Sequence, residues 1–503
     1  MQSNLKCARK LIAVLKFIMK HGRTFFIGLA FLSISAFWQM YDNVVPLMLQ
    51  RTFNLGETIT GALMAMDNVL ALVLLPVFGS LSDRVDTRLG KRMPFILTGT
   101  ILAVCFMTLL PYADRTENLV LFVAALFFTL LSMGLYRSPA VALMPDLTPN
   151  YRRSRANAVI NLMGAVGGVY ALIMIRFLVG KGYRPDYSPL FISVAALMVV
   201  AVGVLLLTIR ENRLRREAER EEKLMEEAGE TPEAVEEAGG LRESSAASKG
   251  MSVTVEALQA AADKDGFGEK ESVGAINSGE KPSADTVPEG KKETNSGQAL
   301  PSAVKRSMIF LLLSIFFWFT AYNAVTTAFS RYTQKVWGME GGSYADCLMV
   351  ATVAAILSYI PIGGISSRIG RKKTILGGIL IMAACYLAAV FVGAYHPLIN
   401  IAFAMIGVGW AAINVNSYPM IVAMSQGGDI GKYTGTYYTF SMAAQIFTPI
   451  FSGFLLENVS YRTLFPYALI FALASFCTMS QVRHGDVKPP KKKSLLENFD
   501  VDD

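Results

Sequence analysis

Apolar stretches of about twenty residues or more recur along this chain in two groups of six, each long enough to cross a bilayer. The first group lies near 24–49, 57–81, 94–112, 118–144, 155–179 and 188–210. The second lies near 306–330, 344–366, 374–394, 397–424, 433–456 and 462–481. A helix satisfies its own backbone polar groups in hydrocarbon, so segments of this length and composition predict an all-α membrane protein of twelve spans. Composition agrees: 17% of the residues are charged, against about a quarter in soluble domains. The start, KCARKLIAVLKFIMKHGR, is basic and amphipathic, and it enters the first span without a small-residue cleavage site, so no cleavable signal peptide is expected.

Charge divides the chain further. Residues 211–306 hold 14 Lys and Arg against 21 Asp and Glu, so the rest of the chain carries +15 although the whole carries +8. From Asn212 to Glu227 the pattern predicts a charged, solvated helix. Beyond Gly229 there is too little apolar surface to fold alone. The expected organisation is a basic segment 1–23, a six-helix half 24–210, a charged flexible linker 211–305, a second half 306–481 and a tail 482–503. Lys and Arg concentrate in 1–23 (six), 82–93 (four), 149–155 (three), 367–373 (four) and the tail (five). The intervening connections carry two or fewer. Both termini are therefore expected in the cytoplasm, with the chain in the cell's cytoplasmic membrane. The five cysteines show no metal-ligand spacing or disulfide framework.

The connection between the second and third spans reads GSLSDRVDTRLGKRMPF (79–95). Gly79 and Gly90 suit close helix approach and a tight turn, and Asp83 is placed to meet an Arg. The second half has GGISSRIGRKK at 363–373 in the equivalent place, four residues shorter, with Ser367 where Asp83 stands. A repeat of six plus six spans is the sequence mark of alternating-access transporters, whose site lies between the halves.

The 79–95 loop resembles that between helices 2 and 3 of the major facilitator superfamily. Its longer form is similar to sucrose transporters and their relatives in the glycoside–pentoside–hexuronide cation symporter family. RSPAVALMPDLTPNYRRSRANAVINLMG (137–164) and GVGWAAINVNSYPMIVAMSQGGDIGKYTGTYY (407–438) extend the resemblance to all but 211–306. It implies the major facilitator fold, twelve transmembrane helices in two pseudo-symmetric six-helix halves. It also implies a cytoplasmic gate of Gly79, Asp83, Arg84, Arg88, Gly90 and Arg92, with Asp146 as salt-bridge partner when that side closes. The chain departs from plant sucrose transporters at Val141, where they have Arg, and at Tyr322 and Asn323, where they have acids.

Charge inside a span costs about 2.5–3.5 kcal/mol near its centre, so Asp42, Asp67 and Arg137 each need a reason. Asp67, among Met64, Met66, Val69 and Leu70, is the first expectation for a proton-coupling site and Asp42 the second. Sodium remains open as the coupling ion, since carboxylate and amide oxygens also suit a hard cation. Arg176 is expected to snorkel, and Asp346 and Glu457 to mark span ends. Uncharged polar and aromatic residues suggest the cargo: Trp38, Gln39, Asn43, Asn68, Asn157, Asn161, Trp318, Tyr322, Asn323, Trp410, Asn414 and Asn416, with Arg137. Amides with Trp and Tyr bind hydroxyls and stack on a sugar ring.

The expected function is proton-coupled symport of a sugar, a disaccharide or glycoside, by a monomer in the lipid bilayer. No cofactor, metal or nucleic acid is implied. A drug/proton antiporter is the first alternative, although Gly164 and Gly168 lack the following Pro of that group's motif. A non-transporting solute sensor is the second. An enzyme is not expected, since no nucleophile–base pair or metal cluster appears.

Overall fold

The computed structural model describes residues 22–149, 153–228, 301–424 and 430–486. Most of 1–23, the linker from 229 to 300, the tail beyond 486, Arg152 and the side chain of Arg155 lie outside the described residues. Among the described residues, thirteen α-helices follow in order: α1 (Gly22–Arg51), α2 (Glu57–Arg84), α3 (Met93–Arg115), α4 (Leu119–Leu147), α5 (Arg153–Leu178), α6 (Ser188–Thr208) and α7 (Glu211–Ala228), then α8 (Ser302–Val336), α9 (Ala345–Ile369), α10 (Arg371–Val390), α11 (Ile399–Met424), α12 (Ile430–Asn458) and α13 (Leu464–Ser480). All but α7 belong to the twelve segments long and apolar enough to cross a membrane. The fold expectation therefore holds, with boundaries shifted. The largest shift is α8, which starts four residues earlier and ends six later than 306–330. At 1.5 Å per residue its 35 residues span about 52 Å, well beyond the hydrocarbon core.

Large apolar side chains stand exposed along the spans, among them Phe177, Val200, Leu207, Leu357 and Ile470. In water such a belt would aggregate; it is the surface a bilayer covers. Inside, α1 packs on α5 and α6, α3 on α4 and α6, and α2 on α4. In the second half α8 packs on α12 and α13, α10 on α11 and α13, and α9 on α11. The halves meet through α2 with α12, α5 with α9, and α1 with α8. The first two are equivalent pairs under a six-span shift, as an internal repeat requires.

Glycines let the backbones approach. A Cβ on Gly61 would collide with the Pro449 carbonyl, and one on Gly453 would lie 2.5 Å from the Glu57 oxygen, which seals α2 against α12. Gly342 lies likewise on the Ile175 carbonyl, where α9 begins beside α5.

The face carrying loop 82–93 is called the basic face below, and its opposite the far face. On the basic face each half fastens the start of its third span by the same device. Glu211, at the start of α7 and 1% exposed, accepts backbone N–H bonds from Lys91 (2.7 Å), Arg92 (3.0 Å) and Met93 (2.9 Å), capping α3. Its carboxylate fills the space a Cβ on Gly90 would need, and Gly90 has a φ of +122°. In the second half Asp486, just past α13, accepts from Lys372 N (3.0 Å) at the start of α10, against Gly370 with a φ of +95°. The helix expected from Asn212 to Glu227 lies within α7, which begins one residue earlier at the buried Glu211.

Candidate functional site

A cavity of about 200 Å³ opens between α1 of the first half and α8, α9, α10 and α11 of the second. Gln39, Asp42 and Asn43 line it from α1. Tyr322, Asn323 and Thr326 face them from α8, with Thr352 and Tyr386 beside them. Residues 39, 42 and 43 share one helical face, as do 322, 323 and 326, so two polar stripes from opposite halves confront each other. Tyr322 is stacked on Trp410, with ring centroids 3.7 Å apart and planes within 3°. Asn43 donates its Nδ2 to Gln39 O at 2.9 Å, and its buried Oδ1 meets no donor among the described residues. The cavity thus offers a carboxylate, amides and hydroxyls on one boundary, beside a stacked aromatic pair.

A smaller pocket of about 20 Å³ lies within the first half, lined by Trp38, Asp67, Asn68, Met133, Gly134 and Arg137 among others. That volume holds one water. The Asp67 Oδ1 accepts from Asn68 N (2.6 Å) and Nδ2 (2.7 Å). Arg137 lies over the Trp38 ring at 5.9 Å, a cation–π contact. The two aspartates therefore occupy different settings: Asp42 faces the boundary of the halves, and Asp67 lies with Arg137 inside one half.

Other polar residues expected at the site line neither of these two pockets. Trp318 is 1% exposed, and Asn414 is buried. Asn416, also buried, accepts from Ser366 Oγ and donates to Ala412 O at 2.9 Å, fastening α11 to α9. Asn157 and Asn161 are half-buried on α5, and both are engaged. Gly164 and Gly168 on the same face approach Ser35 and Gln39 of α1.

Ion pairs that join the halves among the described residues lie on the far face. Arg331 (5% exposed side chain) and Glu57 (3%) pair at 2.9 Å, and Tyr461 donates its hydroxyl to the same carboxylate. Arg176 pairs with Asp346 at 2.9 Å. Arg176 thus bridges the halves instead of snorkelling, and Asp346 is its partner as well as a span end. Glu457 accepts from Thr58 N (2.8 Å) and Oγ1 (2.6 Å), and Arg51 donates to Gln334 Oε1 (2.6 Å). The far face is closed over the cavity. Sequence reading missed Glu57, Arg331 and Tyr461, since charges at the margin of an apolar run look like ordinary ends.

On the basic face the loop gathers around Arg92, whose side chain is 7% exposed. It donates to Asp146 at 2.8 Å, to Asp83, to Ser82 Oγ and to the Gly79 carbonyl at 3.3 Å. Burial works against the guanidinium, yet Asp146 and Asp83 hold its pKa above the ordinary arginine value. Thr87 and Gly90 exchange backbone hydrogen bonds of 3.2 and 3.1 Å, which forms the turn. Arg84 and Arg88 are exposed and stand apart from this cluster. Of the expected gate residues, Gly79, Asp83, Gly90, Arg92 and Asp146 are brought together, all within the first half.

The family model for the Major Facilitator Superfamily matches residues 27–358 and 344–499. The chain is 28% identical over 158 residues to an uncharacterised symporter, sll1374, of Synechocystis, covering 29% of each. It is 30% identical over 151 residues to sucrose transport protein SUT3 of Oryza sativa subsp. indica, covering 26% of the chain and 30% of the relative. These alignments span less than a third of either relative's length. The inward-open xylose transporter XylE of E. coli shares the fold at a TM-score of 0.58 and 15% identity, over 95% of this chain and 98% of that one.

Proposed function

The chain belongs to the Major Facilitator Superfamily of membrane transporters, and on that premise we infer that it carries a sugar together with a proton by alternating access. The observation that carries this reading is the cavity between the halves, where Gln39, Asp42 and Asn43 face Tyr322, Asn323 and Thr326. Amides and a carboxylate bind hydroxyls directionally. The Tyr322–Trp410 stack offers an aromatic surface to the apolar face of a sugar ring. Pockets for drug-sized ligands run from about 300 Å³, so a cavity of about 200 Å³ suits one ring. A disaccharide needs further opening at the basic ends. Similarity to a sucrose transport protein and a symporter supports the sugar and the coupling.

Asp67 is assigned the coupling proton and Asp42 the substrate hydroxyls. Asp67 shares a one-water pocket with Arg137 and is separate from the sugar cavity. Protonation would release Arg137's hold on the carboxylate and alter how α2 packs on α4. The cycle then requires the far face to open and the basic face to close. Under this reading the basic face is cytoplasmic and the Arg92 cluster is its gate.

The test is uptake of radiolabelled mono- and disaccharides into proteoliposomes under an inward proton gradient in sodium-free buffer, with wild type beside Asp67→Asn. Accumulation that an uncoupler abolishes, absent in Asp67→Asn while sugar counterflow persists, supports the assignment. Accumulation that follows only a sodium gradient would remove the proton. No sugar movement under any gradient would remove the sugar.

A further inference from the structure

A recess of about 440 Å³ opens at the basic ends of α1, α6 and α7 and shares no lining residue with the central cavity. Arg23, Arg210 and Arg213 line it, and all three are exposed; Phe26, Ile209 and Leu214, buried or half-buried, provide apolar lining. Glu217 is shared by two of the arginines, 2.8 Å from Arg213 and 3.1 Å from Arg23. One carboxylate among three guanidinium groups leaves a local charge of about +2, which is a surplus looking for an anion.

The position of the recess narrows the ligand. α6 is the most apolar of the spans, and Val199, Val200 and Leu207 on it are more than half exposed. Three residues past the last of these, the chain turns to Arg210 and then to the charged α7. The recess therefore sits where lipid-facing surface gives way to charge, the level of headgroups. Arginine forks match phosphate oxygens two at a time, and basic recesses at this level suit anionic headgroups. A soluble phosphate would have no use for the apolar lining.

We propose that the recess formed by Arg23, Arg210 and Arg213 over Phe26, Ile209 and Leu214 binds the phosphate of an anionic phospholipid, with the first acyl carbons against its apolar side. The three guanidinium groups disfavour a choline or ammonium headgroup. The bound lipid ties the start of α1 to the α6–α7 junction, one residue before the Glu211 cap on α3. This site is independent of what the central cavity carries.

The test uses the full chain purified in a maltoside detergent, with thermal unfolding followed on titration with three soluble probes: dihexanoyl-phosphatidylglycerol, dihexanoyl-phosphatidylcholine and inorganic phosphate. The expected result is a saturable rise in Tm with phosphatidylglycerol. Half-saturation should be at least tenfold weaker for phosphatidylcholine, and at least tenfold weaker for phosphatidylglycerol in Arg210→Gln/Arg213→Gln. Equal responses to the two lipids, or an unchanged response in the double variant, overturn the site. Inorganic phosphate acting as well as phosphatidylglycerol overturns the lipid as its source. Should the double variant not melt cooperatively, salt provides the second measurement on wild type. Half-saturation by phosphatidylglycerol should weaken several-fold between 50 and 500 mM salt, as about threefold shorter screening lengths demand; salt independence overturns the proposal.

Discussion

Replacing Arg331 by Met should open the far face. Arg331 and Glu57 are 274 residues apart in sequence, come from opposite halves, and are paired at 2.9 Å with almost no exposure. Removing one partner of a buried pair costs about 3–5 kcal/mol, because the other charge stays buried and uncompensated. Here Glu57 would keep only the Tyr461 hydroxyl. The cost falls mainly on the closed state, since parting the halves lets water reach Glu57. The ratio of closed to open should therefore drop by about 10²–10³·⁵, at 1.36 kcal/mol per decade. Tyr183 and Val459 lie near the far ends of the two halves and are 63% and 66% exposed. Spin labels at these positions, in a background freed of the native cysteines, report their separation as a distance distribution. Arg331→Met should shift it to longer distances. Glu57→Leu/Arg331→Met should bring it back toward wild type, because an apolar pair of similar volume leaves no orphaned charge. An unchanged distribution in Arg331→Met, or a double variant as open as the single, would refute the reasoning.

Four further outcomes follow from the same contacts. Gly61→Ala should favour the open far face by the same distance measurement, since its Cβ meets the Pro449 carbonyl and backbone has to move. Tyr322→Ala should raise KM for the proposed sugar about tenfold or more by removing one of the two stacked rings, read in initial uptake rates. Asn416→Ala should lower Tm by the loss of buried hydrogen bonds, about 1–3 kcal/mol, and leave KM unchanged. Glu211→Ala should lower Tm by a similar amount and loosen the loop, seen as faster amide exchange at residues 91–93, where three N–H groups lose their acceptor.

Spans were legible because hydropathy over about twenty residues is a strong periodicity-free signal. The 79–95 turn was legible in part: glycines, an acid and bases in one short loop announce it, and Arg92 does meet Asp83 and Asp146. Sequence reading could not choose Arg92 over Arg84 and Arg88, since burial of one among several arginines depends on the turn at Thr87–Gly90. Within the spans, composition alone could not separate Asn43, which lines the cavity, from Asn416, which fastens two helices. Both are buried amides on polar stripes, and only the packing of neighbours tells them apart. Glu57 and Arg331 were hidden for another reason. Each sits at the margin of an apolar run, where charge is expected, and their pairing depends on α8 continuing six residues beyond its predicted end. Glu211 was placed at the start of the charged linker because its partners are backbone N–H groups, which leave no mark in sequence.

The matched caps on α3 and α10 bear on how the molecule could be assembled. Glu211 and Asp486 each follow the last span of a half and fasten the start of that half's own third span. No half borrows this fastening from the other, so each is finished by its own final residues. A chain severed between 229 and 300 would leave both fragments with their loop closures intact. Among the described residues, these two closures draw nothing from the connection between 229 and 300. Two separately translated fragments, meeting in one membrane, would each bring its own loop closure and its own partner for the Glu57–Arg331 and Arg176–Asp346 pairs.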